Sequence, residues 1–222
     1  MTTLHCFHGF LGSPRDFDFL RSDYDIVSYN LYQLCEEGPE KIVETVKKSM
    51  TAGPQIILGY SFGARLAMRI FLKLEAHFEK GIFMSGHLGL QDPLVKGKRV
   101  LFEQRWAEKI RVTNRDDFLE LWNGLDLFKN DQDIVDHPQA EKEQLVRFFT
   151  EYGLSTQPYL VHHLIKYKEK LSFIYGEADL KYANYAQNEL RPAGFRVQFL
   201  PGAGHRSLMY PGLAASAIRQ SL

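Results

Sequence analysis

Six short, apolar, β-rich segments spaced along 222 residues constrain this chain more than any other feature. They fall at 4–7, 25–28, 55–58, 81–85, 171–175 and 196–200, and Gly, Pro or polar residues stop each one. Between several of them lie stretches with helical spacing. Residues 39–50 place Ile42, Val43, Val46 and Met50 on one face, and 62–74 and 181–190 have similar length and pattern. Strands that alternate with helices are expected to run parallel, because a parallel pair needs a crossover long enough to return to the starting edge. Such a sheet is covered on both faces, which accounts for unbroken apolar runs such as Ile56-Ile57-Leu58. The rhythm fails once. From 87 to 165 no strand signal is visible, and the residues are helix-like and rich in Phe, Trp, Arg and acids. Turn or helix-start signals stand within it at Asn130-Asp131-Gln132-Asp133 and Asp136-His137-Pro138. The expected organisation is an α/β core from 1–86 and 166–222 with a helical cap inserted at 87–165.

Hydrophobic residues make up 45% and charged residues 24%, enough to build a core and too apolar for a disordered chain. The 27 Lys and Arg balance 27 Asp and Glu, so there is no positive field to gather nucleic acid or an anionic membrane. No apolar run approaches the roughly 18 residues that a membrane span needs. Cys6 and Cys35 form neither a metal pair nor a Cys-x-x-Cys motif, and the N-terminal residues lack the basic and apolar pattern of a leader. A reducing, cytoplasmic setting is expected. His5, His77, His137, His162 and His163 lack Cys or carboxylates at ligand spacing, so neither a metal nor a cofactor is expected.

Gly59-Tyr60-Ser61-Phe62-Gly63 sits directly after the segment 55–58 and opens the helical stretch 62–74. A serine nucleophile needs this context: a tight strand-to-helix turn that projects Oγ from the C-terminal edge of the sheet. Serine alone is a weak nucleophile and requires a histidine base oriented by an acid. Both follow in chain order. Gly176-Glu177-Ala178-Asp179 comes after the fifth segment and Pro201-Gly202-Ala203-Gly204-His205 after the sixth. Parallel sheets bind ligands at that edge, so Ser61, Asp179 and His205 can converge, with Glu177 the rival acid. His8-Gly9-Phe10-Leu11-Gly12-Ser13 follows the first segment, and the backbone N–H groups of Phe10 and Phe62 are candidate oxyanion donors. His87, in Ser85-Gly86-His87, also follows a strand at this edge. Arg65 lies one helical turn after Ser61, close to a helix N-terminus where a cation is unfavourable. Either an anionic substrate or a neighbouring acid would account for it.

These segments resemble the α/β-hydrolase superfamily. Within it, the sequence is similar to the synthases that form 2-succinyl-6-hydroxy-2,4-cyclohexadiene-1-carboxylate in menaquinone biosynthesis. The oxyanion loop and Gly59 to Ala67, including Arg65, resemble that family, as do Gly86-His87-Leu88-Gly89-Leu90, Glu103-Gln104-Arg105-Trp106-Ala107, Leu121-Trp122 with Leu127-Phe128, and Leu154-Ser155-Thr156-Gln157-Pro158. The resemblance implies a lyase whose triad takes a proton from carbon and expels pyruvate from a small polycarboxylate. It implies that Arg65 and Arg105 hold carboxylates, that Tyr60 and Trp122 shape the pocket, and that Arg147 is a further ligand. Relatives usually carry an extra hairpin before the first strand. Here the strand leading into His8 comes first, so the expected sheet has six strands in the order 2-1-3-4-5-6. Relatives also show Asp-Leu-Pro-Gly-His-Gly after the second strand, where this chain has Tyr29-Asn30-Leu31-Tyr32-Gln33. The same triad would serve a serine carboxylesterase or thioesterase acting on a small acyl ester. A noncatalytic receptor on this fold has no need of the triad.

Overall fold

The computed structural model describes residues 1–132 and 140–222; the sequence signals at Asp133 and at Asp136-His137-Pro138 lie outside the described residues. Six strands, β1 (Thr3–Phe7), β2 (Asp25–Tyr29), β3 (Gln55–Tyr60), β4 (Lys80–Met84), β5 (Leu171–Gly176) and β6 (Arg196–Leu200), form one sheet in the order β2-β1-β3-β4-β5-β6. Every pairing is parallel. Phe7 pairs with Tyr29 and Gly59, and Tyr60 with Met84, so the C-terminal ends of the central strands are level. This register makes one edge of the sheet a platform.

The helices in chain order are α1 (Leu31–Leu34), α2 (Pro39–Lys48), α3 (Phe62–Leu74), α4 (Pro93–Val112), α5 (Arg115–Asn123), α6 (Lys142–Thr150), α7 (Val161–Leu164), α8 (Leu180–Tyr185) and α9 (Pro211–Ser221). Successive strand residues point to opposite faces. Ile57, Phe83 and Phe173 therefore pack with α2 and α3, while Leu58, Ile82 and Ile174 pack with Phe17, Leu20 and the α9 residues Ala214 and Ile218. Two apolar layers on one sheet explain why its central strands read as continuous hydrophobic runs.

Local chemistry sets the helix ends. Pro93 opens α4, and the Asp92 side chain accepts the Leu94 amide. Asn114 caps α5 by accepting from the Asp117 amide. The expected helix at 181–190 differs: α8 stops at Tyr185 and a π-helical turn, Ala186–Leu190, follows. Pro192 has no N–H to continue the ladder, and the Arg191 amide closes on the Ala186 carbonyl at 3.0 Å.

Between β4 and β5 the described residues form helices and turns only. The two ends of this connection are bonded to each other: the Leu160 amide donates to the Leu88 carbonyl at 2.6 Å, and Gln157 Nε2 to the His87 carbonyl at 2.8 Å. Glu103 of α4 is buried and holds the returning chain, accepting the amides of Leu154 and Ser155, the Ser155 hydroxyl and Arg99 Nε. A buried carboxylate supplied with that many donors is a satisfied charge. Cys6 and Cys35 are buried free thiols, and burial pushes Cys35 up to about 12. No helix among the described residues is long and apolar enough to cross a membrane.

Candidate active site

Ser61 occupies the turn between β3 and α3 with φ 51° and ψ −110°, a conformation that L-residues rarely adopt. Its amide donates to the Met84 carbonyl at 2.8 Å, which ties the turn to β4. The flanking glycines are there because the backbones touch. A Cβ on Gly59 would sit 2.5 Å from Ala64 Cα, and one on Gly63 would sit 2.1 Å from the Phe7 carbonyl oxygen. The spacing of the motif is thus a record of α3 packing against the ends of β1 and β3.

Ser61 Oγ lies 3.0 Å from His205 Nε2, and His205 Nδ1 lies 2.6 Å from Asp179 Oδ2. Asp179 is acceptor-only when ionised, so Nδ1 carries the proton and Nε2 is left to accept from the serine hydroxyl. Both His205 and Asp179 are buried, at 2% and 3% exposure, and Asp179 Oδ1 also accepts the Tyr182 amide at 3.2 Å. Glu177 is exposed and accepts from the Gly202 amide, away from His205. The acid bonded to the imidazole is Asp179.

Three further groups hold His205 in place. Its carbonyl accepts from Tyr60 Oη at 3.2 Å and from Ser85 Oγ at 3.0 Å. Next to it, Arg206 is buried with its guanidinium 4.0 Å from the Phe128 ring centroid and Nη2 2.6 Å from Asn123 Oδ1. The histidine loop is thereby joined to the end of α5.

The loop after β1 is held by His8. Its Nδ1 donates to the Gly9 carbonyl at 2.8 Å and its Nε2 accepts the Leu31 amide at 3.0 Å. That arrangement requires the neutral ring, and burial holds its pKa down at about 4. Leu11, at φ 59°, and the Gly12 amide bonded to Gly9 complete a tight turn. Neither the Phe10 nor the Phe62 amide has a hydrogen bond among the described residues, and Phe62 is the first residue of α3, where helical N–H groups are orphaned. The side chains of the same two residues anchor the connection. Phe10 meets Trp122 at 4.8 Å and Phe149 at 5.0 Å, and Phe62 stacks on Phe148 at 4.0 Å.

A cleft of about 1390 Å³ opens over Ser61 and His205. Phe10, Phe62, Trp122, Phe128 and Phe149 line its apolar part, and Arg65, His87, Arg99 and Lys181 its basic part. Arg65 Nη1 donates to the Tyr152 carbonyl at 2.9 Å, and burial, with Arg99 nearby, holds its pKa down at about 10, still charged at neutral pH. Of the residues singled out by sequence, Ser61, Asp179, His205, Phe10, Phe62, Arg65 and Trp122 come together. Three expectations are corrected. Arg105 is exposed and does not line the cleft, because it lies about 200° round α4 from the inward Glu103. Arg147 is ion-paired to Glu151 at 3.0 Å. Tyr60 turns its hydroxyl to the His205 backbone and forms no cleft wall. Sequence reasoning missed Ser85, Arg99, Lys181, Tyr182 and Arg206. Ser85 and Arg206 carried a usable signal, one ending the segment 81–85 and the other adjoining His205.

Protein PHYLLO of Arabidopsis thaliana is 24% identical over 193 residues, which cover 78% of this chain; the match spans 11% of that relative's length. The 2-succinyl-6-hydroxy-2,4-cyclohexadiene-1-carboxylate synthase of Pectobacterium atrosepticum is 25% identical over 82% of this chain and 80% of its own. The solved structure of MenH from S. aureus has the same fold, with a TM-score of 0.82 at 17% identity over 100% of this chain and 93% of its own. Residues 5–217, which include every strand end that carries the site, match the alpha/beta hydrolase family. With the strand order and the strained serine turn already in hand, that match means that the chain belongs to the alpha/beta hydrolase family.

Proposed function

We propose that this chain is a carbon–oxygen lyase that eliminates pyruvate from a small polycarboxylate, the reaction implied by its similarity to the 2-succinyl-6-hydroxy-2,4-cyclohexadiene-1-carboxylate synthases. One observation carries the reading. The Ser61–His205–Asp179 chain opens on the same cleft as Arg65, and Arg65 has no carboxylate oxygen within 4.0 Å among the described residues. An unpaired, desolvated guanidinium beside a nucleophile costs stability unless an anion completes it. A neutral ester offers no such partner.

In this reading the Ser61–His205 pair takes a proton from a substrate carbon, and the proton comes to rest on Nε2. Asp179 balances the imidazolium. The released electron pair forms a carbon–carbon double bond while the carbon–oxygen bond breaks with its electrons, so the leaving unit departs as the enolate of pyruvate and takes the proton from Nε2 to become pyruvate, which restores the neutral imidazole. Charge that gathers on a substrate carbonyl oxygen meets the Phe10 and Phe62 amides, fixed dipoles that need no reorganisation. Residues 87–165 act as a cap whose aromatic side chains exclude water from the intermediate.

The second reading, a serine esterase or thioesterase, is favoured by the same strained serine turn, which suits acyl transfer equally well. A coupled assay for pyruvate with the family substrate, run beside p-nitrophenyl esters, separates the two. The expected result is pyruvate release that falls by about 10³-fold or more in Ser61→Ala. Ester hydrolysis without pyruvate release would establish the esterase.

A further inference from the structure

The turn signal at Asn130-Asp131-Gln132 falls where the connection between β4 and β5 meets the triad from outside. The Asp131 amide closes a turn on the Phe128 carbonyl at 2.9 Å. From that turn the chain reaches both loops that carry the acid and the base. Asn130 Nδ2 donates to the Ala178 carbonyl at 2.8 Å, one residue before Asp179. Asp131 Oδ1 accepts the Arg206 amide at 3.1 Å, one residue after His205, and the Gln132 carbonyl accepts Arg206 Nη1. Phe128, at the start of the turn, sets its ring 5.8 Å from the His205 ring.

Gly204 records how close this approach is. It is buried, and the three atoms nearest to an added Cβ all belong to the Asp131 carboxyl group, at 2.3, 2.6 and 2.8 Å. The glycine before the histidine thus admits a carboxyl group from the inserted segment. Asp131 Oδ2 is buried and takes no hydrogen bond among the described residues, and burial raises the Asp131 pKa. A carboxyl group desolvated with one oxygen unpartnered is a poor brace for the fold. What it gains is a fixed seat against residues 204–206. The Ala178 amide already donates to the Ala203 carbonyl at 2.8 Å, so the two loops touch directly, and the turn joins them a second time.

We infer that Asn130 and Asp131 are positioning residues: their turn spans the acid and histidine loops and holds His205 within hydrogen-bond reach of both Ser61 and Asp179, so that the triad is assembled only while this part of the cap is seated. The inference rests on the Ser61–His205–Asp179 chain, which the lyase and esterase readings share, and not on the choice between them. His205 bonds Ser61 on one side and Asp179 on the other, so a shift of its backbone disturbs two contacts in series. A misplacement of about 1 Å between reacting groups can cost on the order of 100-fold in rate.

Phenylmethylsulfonyl fluoride tests this without the native substrate, because it sulfonylates a serine that a histidine activates, with loss of fluoride. The labelling rate of Ser61 is followed by mass spectrometry, beside a urea midpoint and kcat and KM on whichever assay substrate is turned over. Asp131→Ala should slow labelling and kcat about 10-fold and leave KM within about twofold, whereas Asp131→Asn, which keeps the Oδ1 acceptor, should stay within about threefold of the unmutated protein. Gly204→Ala, whose Cβ displaces the carboxyl group, should match Asp131→Ala, and the double variant should be no slower than either alone. Asn130 is exposed, so Asn130→Ala, expected to slow labelling about threefold, gives a result even where a buried variant fails to fold. Unchanged labelling in Asp131→Ala or Asn130→Ala, additive losses in the double variant, or a loss confined to KM or to the urea midpoint would overturn the positioning role and leave the triad standing. Labelling of Ser61 that is absent, or that His205→Ala leaves unchanged, would overturn the triad itself and the inference with it.

Discussion

Ser85 illustrates how the catalytic histidine's backbone is braced by residues outside the Ser61–His205–Asp179 chain. It is buried, sits at φ 49° just past β4, and donates its hydroxyl to the His205 carbonyl while sharing a hydrogen bond with Ser207 Oγ at 3.2 Å. Tyr60 is bonded to the same carbonyl, so the loss of one partner loosens the histidine without freeing it. Ser85→Ala should lower kcat several-fold with little change in KM, and cost about 1 kcal/mol of stability. Steady-state kinetics on the best substrate and a urea titration check both numbers. A KM effect larger than the kcat effect would place Ser85 in substrate binding.

At the level of elements, the decisive contact is the approach of α3 to the ends of β1 and β3. Gly63 is where they touch, 2.1 Å from the Phe7 carbonyl and 2.4 Å from the His8 carbonyl for an added Cβ. Both obstacles are backbone and cannot rotate away. Gly63→Ala should therefore cost about 3 kcal/mol or more and disturb the serine turn, as overpacking against fixed atoms does. Gly212, in α9, has nothing within 4 Å of an added Cβ, and Gly212→Ala should be neutral or stabilise by up to about 1 kcal/mol. Parallel urea titrations of the two variants compare them directly. The motif was legible in the sequence because this contact demands glycine, whereas the end of the helix at Tyr185 was hidden because a π-turn leaves the apolar pattern intact.

For the whole molecule, stability is linked to pH through histidines kept neutral by burial. The usual value is 6.5; His8 is held at about 4 and His87 at about 3, and His5 is lowered in the same direction. Below pH 6.5 the unfolded chain takes up protons that the folded protein refuses, so stability falls as the pH falls towards 4. Above 6.5 this contribution is fully present. The loss should be on the order of 1.4 kcal/mol per pH unit for each histidine inside its window. Urea midpoints measured from pH 7.5 to 4.5, a range of about 3 pH units chosen to bracket the reference value, should decline steadily on the acid side. A flat profile would mean that His8 and His87 are protonated in the folded state.

The amino-acid sequence alone determined the α/β alternation and the placing of Ser61 and His205 at strand ends, because each depends on short-range rules of periodicity and turn chemistry, while the strand order was implied by the resemblance to relatives. Which acid bonds His205 required the fold, since Asp179 and Glu177 are two residues apart and only the course of the chain after β5 buries one and exposes the other. The arginines required it still more. Arg99 and Arg105 lie on the same helix, and no local pattern distinguishes the one that lines the cleft from the one that faces water. The choice is made by Glu103, whose burial against the chain returning at Leu154 sets the rotation of α4. Long-range packing of that kind leaves no periodic mark on the residues it selects.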